Sequence, residues 1–217
     1  MRDLYFDQLD AIVDDMVAMT TSVRDAVDEA TKALLEADQT AAEAVISGDR
    51  EIDASREGIE EHALQLLATQ QPVASDLRML VAALRMVADL ERMGDLAVHI
   101  AKVARMRLPD GAVPESLRPT MAQMAAVAER MVDATARIVA DRDVDAARGL
   151  ADEDDEMDQL RRSLFRILLS EDWAYGVEPA IDIALLGRYY ERIGDHAVSM
   201  GKRVVYFVTG ESPVSVD

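Results

Sequence analysis

Glu91-Arg92-Met93-Gly94-Asp95-Leu96-Ala97-Val98-His99-Ile100-Ala101-Lys102 recurs, with few changes, as Glu191-Arg192-Ile193-Gly194-Asp195-His196-Ala197-Val198-Ser199-Met200-Gly201-Lys202. Both copies have the spacing of a helix, and in each a glutamate and an aspartate four residues apart share one helical face. On the first copy's helix Val81, Leu84, Ala88, Glu91, Asp95 and Val98 follow one stripe, flanked by Leu80, Val87, Leu90, Gly94, Ala97 and Ala101. The two acids are therefore expected inside the apolar arc. Gly94 costs about 1 kcal/mol against alanine in a helix interior, which points to a close helix approach there. A buried carboxylate costs several kcal/mol unless a positive charge neutralises it. The same costly device is written twice.

The duplication extends outward from the dodecamers. Asp38, Asp49 and Asp53 recur as Asp143, Asp154 and Asp158, each displaced by 105 residues. Apolar residues fall at helical spacing throughout, and strand alternation is almost absent. The spacing predicts helices over about 4–36, 39–69 and up to about 106. The pattern then restarts over about 117–141, 144–170 and up to about 208. The first helix has a coiled-coil-like seam of Leu9, Val13, Met16, Thr20, Val23, Val27, Ala30 and Leu34. The second has Val45, Asp49, Ile52, Arg56, Ile59, Ala63 and Leu66, with Asp53 at its border. Asp38, Asp143 and either Ser75 or Asp76 read as N-caps. Pro72, the Gly176-to-Pro179 stretch, and Gly210 with Pro213 read as breaks. The segment 108–116, with two prolines and a glycine, is the clearest linker. The expected fold is all-α: a tandem repeat of two three-helix bundles, residues 1–107 and 117–217. Helices of about 30 residues span roughly 45 Å, so an elongated molecule is expected.

Half of the 217 residues are apolar, aromatic content is 4%, and the formal charge is −19. That charge argues against nucleic-acid binding and against direct adhesion to anionic lipid. No run is long and apolar enough to span a bilayer, and the acidic amino terminus lacks a signal-peptide pattern. The expected location is the cytoplasm, with any membrane association through protein partners. The chain has no cysteine, so thiol catalysis and thiolate metal sites are excluded. Carboxylates and three histidines remain as metal ligands.

The second and fifth helices carry acid pairs of their own, Asp49 with Asp53 and Asp154 with Asp158. Packed on the dodecamer helices, they would form two four-carboxylate clusters: Asp49, Asp53, Glu91 and Asp95 in one half, Asp154, Asp158, Glu191 and Asp195 in the other. Oxygen donors suit magnesium, calcium, manganese or iron, and bridging carboxylates allow a multinuclear centre. The competing reading is ion pairing with Arg56, Arg92, Arg188 and Arg192. His62, His99 and His196 read as ordinary surface or packing residues, and Asp152 and Glu156 as solvated charge. Neither dodecamer has the Glu-x-x-His spacing of ferritin-like di-iron bundles. Nothing resembles a phosphate-cradling loop or a serine elbow. A carboxylate-bridged hydrolase or oxidase stays open as an alternative.

The segments Gln70-Gln71-Pro72-Val73-Ala74-Ser75-Asp76-Leu77-Arg78, Glu91 to Asp95, Glu191 to Ala197 and Tyr206-Phe207-Val208-Thr209-Gly210 together resemble the PhoU family over essentially the whole chain. The resemblance implies two similar three-helix bundles. It also implies iron or zinc held by the Glu/Asp-x-x-x-Asp pairs named above, with Leu96 in place of His196's counterpart making the two sites unequal. It further implies a regulator rather than an enzyme: an adaptor between the ATPase subunit of a phosphate ABC transporter and a sensor histidine kinase. Such an adaptor restrains phosphate uptake and the starvation response. Homodimerisation stays open.

Overall fold

Residues 2–211 are described in a computed structural model, with side chains from residue 5. They form six long helices: α1 (Arg2–Glu36), α2 (Gln39–Gln70), α3 (Ala74–Met106), α4 (Arg118–Asp141), α5 (Val144–Leu168) and α6 (Val177–Thr209). No strand occurs among the described residues. The caps follow local chemistry. Asp38 accepts hydrogen bonds from the backbone N–H groups of Thr40 and Ala41, and Asp143 from those of Asp145 and Ala146, so each satisfies two orphan donors of the helix it begins. Gly210 takes the left-handed conformation that ends α6; Pro213 lies outside the described residues. At α3 the expectation needs correction. Val73 occupies the cap position and no side chain caps the helix. Asp76 sits in the first turn, where it accepts a hydrogen bond from Tyr5 at 3.2 Å.

Every residue of the α1 seam is buried, because α1 packs against α2, α3 and α4 at once. Each half is an up-down-up trio, α1–α2–α3 and α4–α5–α6. The halves meet side by side, α1 on α4 and α3 on α6, leaving α2 and α5 as outer flanks. The cross-contacts fix direction. Asp89 meets Ser199, His99 meets Tyr189, and Arg107 meets Asp182, so α3 and α6 run antiparallel. Arg142 near the end of α4 reaches Asp10 near the start of α1 at 3.2 Å, so α1 and α4 do likewise. An approximate two-fold rotation across the helix axes relates the repeats. At 1.5 Å per residue, helices of 33–35 residues are about 50 Å long, and the bundle is elongated along them.

The two repeats share one apolar core. At its centre Tyr190 on α6 is wholly buried, and its hydroxyl meets that of Thr31 on α1 at 2.8 Å. This bond spans the four-helix centre on the diagonal. The connection between the repeats is packed too: Ala112, Val113 and Leu117 are buried. A second polar link lies between α3 and α6. Buried Asp89 accepts hydrogen bonds from Arg203 Nε at 2.9 Å and Ser199 Oγ at 3.3 Å, and its other oxygen lies 3.0 Å from His196 Nδ1. Burial alone would raise the Asp89 carboxyl. The bonds from His196 and Arg203, with the guanidinium's charge, outweigh it and hold the group below its ordinary value.

Glycine sets how closely the flanking helices approach. A Cβ on Gly201 of α6 would lie 3.0 Å from the Ala147 carbonyl oxygen and 3.0 Å from Leu150 Cδ1, both on α5. Gly58 in α2 is exposed with nothing within 4 Å. Gly201→Ala is expected to cost about 1–3 kcal/mol, since a backbone oxygen cannot yield, lowering Tm by roughly 3–8 °C. Gly58→Ala is expected to add about 0.5–1 kcal/mol. Thermal melts of the two variants, showing opposite signs, check this reading.

Candidate functional site

In the first repeat α2 presents Asp49 and Asp53 one turn apart, and α3 presents Glu91 and Asp95 one turn apart. Ile52, between the α2 acids, lies over Gly94, between the α3 acids. A Cβ on Gly94 would stand 3.1 Å from Ile52 Cδ1. This is the close approach that the glycine implied. The four acids sit around that contact and feel one another. Asp49 is raised above its ordinary value first by burial and then by the charges of Asp53 and Asp95; Lys102 and His99 oppose this. Glu91 is raised by burial and Asp95, opposed by Arg92 and Arg56. All four are half-buried rather than enclosed. They border the apolar arc instead of lying inside it, because Val81 and Leu84 on their stripe are themselves half-exposed and Ala88 is exposed.

The second repeat repeats the plan with different partners. A Cβ on Gly194 would stand 3.2 Å from Met131 Sδ on α4 and 3.4 Å from Asp154 Oδ1 on α5, so here a methionine and an acid, rather than an isoleucine, face the dodecamer glycine. Asp154 is raised by burial, then by Asp195, Asp158 and Glu191. Glu191 is buried, at 7% exposure, and two guanidiniums hold it: Arg161 at 3.2 Å and, closer still, Arg188. Asp158 pairs with Arg162 at 3.2 Å. In the first repeat the counter-charge is weaker. Arg92, itself largely exposed, reaches Asp95 at 2.9 Å and Glu91 at 3.5 Å, and among the described residues no cation pairs with Asp49 or Asp53.

The eight acids singled out from sequence thus lie within electrostatic reach of one another, four in each repeat. As the side chains stand, no three Asp, Glu or His groups among the described residues are gathered tightly enough to hold an ion. The donor set nonetheless suits one. Carboxylate oxygens from facing helices, with like charges raising each other's pKa, are what a hard cation would neutralise. Arg56 and Arg161 each leave a buried Nε unpaired beside these clusters, so the local polar groups are incompletely satisfied.

Sequence reasoning underrated several residues. His196 turns from the second cluster to Asp89, and His99 stacks on Tyr189 with ring centroids 5.4 Å apart. Both join the repeats. Glu156 is solvated as read, and in that exposed position pairs with Arg130 at 2.7 Å. Of the arginines considered as counter-ions, Arg92 and Arg188 serve, Arg56 reaches Glu60 at 3.7 Å, and Arg161 was missed. Arg161 lies three residues past Asp158, a spacing that puts it on the α6-facing side of α5.

The PhoU domain model matches residues 16–104 and again 121–204, one match per repeat. This chain belongs to the PhoU family. Among its relatives is the phosphate-specific transport system accessory protein PhoU homolog 2 of Mycobacterium tuberculosis, 43% identical over 98% of this chain and 100% of that protein. Homolog 1 of the same organism is also 43% identical, over 98% and 96%. The crystal structure of PhoU from Pseudomonas aeruginosa superposes with a TM-score of 0.89 at 29% identity, covering 95% of this chain and all of that one. That of the phosphate transport system regulatory protein PhoU from Streptococcus pneumoniae gives 0.86 at 25%, covering 95% and 98%. The fold expectation is thus met. Members of the family are named as accessory or regulatory proteins, not enzymes, which removes the hydrolase and oxidase alternative.

A carboxyl with a raised folded pKa binds its proton more readily folded than unfolded. Ionising it costs stability at neutral pH, and the cost is relieved as pH falls toward the ordinary values of 3.8 for aspartate and 4.5 for glutamate. Asp89 acts oppositely, and its contribution is lost only as pH falls below the ordinary aspartate value. In cation-free buffer Tm is therefore expected to rise as pH falls from neutrality toward those ordinary values, before falling in stronger acid. Asp49→Asn is expected to raise Tm at neutral pH by about 2–4 °C, or about 1 kcal/mol of relieved repulsion, and to flatten the rise. Scanning calorimetry across that range checks both.

Proposed function

We propose that this PhoU-family chain is an accessory protein of phosphate-specific transport that restrains uptake and starvation signalling when phosphate is plentiful. It would do so as an adaptor between the transporter's ATPase subunit and a sensor histidine kinase. The observation that carries the reading is the 43% identity to the tuberculosis accessory protein along that protein's whole length. No helix among the described residues is long and apolar enough to cross a membrane, which suits a protein brought to a membrane by its partners. We place its work in the cytoplasm. The long exposed helical faces fit an adaptor.

The same reading gives the carboxylate clusters a cation. Asp49, Asp53, Glu91 and Asp95 would hold it in the first repeat, and Asp154, Asp158, Glu191 and Asp195 in the second. A bound cation would cancel the repulsion between α2 and α3 and fix their packing; iron, zinc, magnesium and manganese are the candidates. A second reading, in which arginine alone supplies the counter-charge, is favoured locally by the Arg161 and Arg188 pairs on Glu191. On that ground the first repeat is the stronger cation site.

The test of the regulatory role is genetic. Deleting this gene, together with any second family member in the same genome, is expected to raise phosphate-starvation transcripts several-fold in phosphate-rich medium. A plasmid copy is expected to restore repression. Starvation transcripts that stay low in the deletion strain would overturn the proposal.

A further inference from the structure

The repeats differ at one hairpin, and the difference leaves a helix-sized place open. Displaced by 105 residues, Leu168 at the end of α5 matches Ala63 in α2. There α5 stops, whereas α2 continues for two more turns to Gln70. In the first repeat those turns seat Leu66 in the core, 1% exposed, with Leu67 half-buried beside it. They lie along the stripe of α3 that starts at Leu77 and Val81 and leads to Glu91. In the second repeat a loop replaces them. It is closed by Trp173 donating from its indole to the Gly176 carbonyl at 2.7 Å. The matching stripe of α6 is consequently bare. Val177 is 77% exposed where Leu77 is 41%, and Ile181 is 54% exposed where Val81 is half-buried. Leu185, one turn further on, is 42% exposed, but its counterpart Arg85 is exposed too, so Val177 and Ile181 are the residues that the shorter helix uncovers. Val177, Ile181 and Leu185 are spaced four apart, the anchor pattern of a helix seated in a groove.

We infer that this uncovered stripe docks a short amphipathic helix of a partner protein, lying where the last two turns of α2 lie in the first repeat. The internal repeat is the template for the occupant, which needs leucines spaced like Leu66 and Leu67. Charge supplies the second criterion. Glu178 and Asp182 are already held by Arg107, and Asp182 is buried, but in the loop Glu171 and Asp172 are exposed, and among the described residues no cation pairs with either. The polar edge of the occupant is therefore basic. An acidic helix, or this strongly acidic chain itself, would be repelled. The inference stands on the hairpin alone and does not require the phosphate role.

The test uses the full chain and a helix-stapled peptide of residues 60–71, with Glu60→Lys and Glu61→Lys, as the probe. Trp173, the single tryptophan, lies in the replacing loop, so its fluorescence reports occupancy. Saturable binding in the micromolar range is expected. Ile181→Asp is expected to weaken it by about tenfold or more, while Leu77→Asp leaves it unchanged. The peptide with its native acids is expected to bind more weakly. Ile181 is exposed, so its variant should keep the wild-type circular dichroism and melt; Ile181→Ser is the milder replacement, and its binding decides the matter if Ile181→Asp loses structure. No saturable binding up to about 1 mM peptide, or binding that neither variant weakens, would overturn the inference. So would sedimentation showing that a second copy of the chain already occupies this stripe and is released by Ile181→Ser.

Discussion

The close approach of a flanking helix to a glycine in the middle of its neighbour organises this molecule. At Gly94 and Gly194 the dodecamer helices lack a side chain; Ile52 of α2 fills the first gap, and Met131 of α4 with Asp154 of α5 fills the second. That contact draws four carboxylates together in each repeat, one turn to either side on both helices. Burying apolar surface drives the approach, while the acids it gathers oppose it. The resulting strain appears as raised pKa values on Asp49, Glu91 and Asp154.

The repeats resolve that conflict differently. In the second, Arg161 and Arg188 converge on buried Glu191, so the chain supplies its own counter-charge. In the first, Arg92 is an exposed partner and Asp49 is left to its acidic neighbours. The duplicated plan has also been broken where the repeats meet. Asp89 gathers His196, Ser199 and Arg203 on one side of the junction, while the two-fold-related position carries the His99–Tyr189 stack. Duplication supplied the scaffold, and later divergence gave each copy its own charges.

The architecture was legible because it rests on periodicity and caps. The α1 seam, the aspartate caps at positions 38 and 143 and the glycine at position 210 are local signals. The convergence of the eight acids was legible from the 100- and 105-residue displacements. Orientation within the site was not. Sequence spacing placed Glu91 and Asp95 inside an apolar arc, but how far α2 covers that arc depends on tertiary packing, and it covers it only in part. The partner of His196 was hidden for a related reason. That partner, Asp89, lies 107 residues away, and no local pattern joins them. The open stripe on α6 was hidden likewise, since the exposure of Val177 and Ile181 depends on where the neighbouring α5 stops.

The most direct measurement is anomalous diffraction at the iron, zinc and manganese edges, on crystals of protein purified without chelators or affinity metal. The account predicts a peak between Asp49, Asp53, Glu91 and Asp95, with Arg92 displaced from Asp95, and weaker or no density beside Glu191. Absence of any peak, with Asp49 turned to solvent and Arg92 still on Asp95, would contradict it.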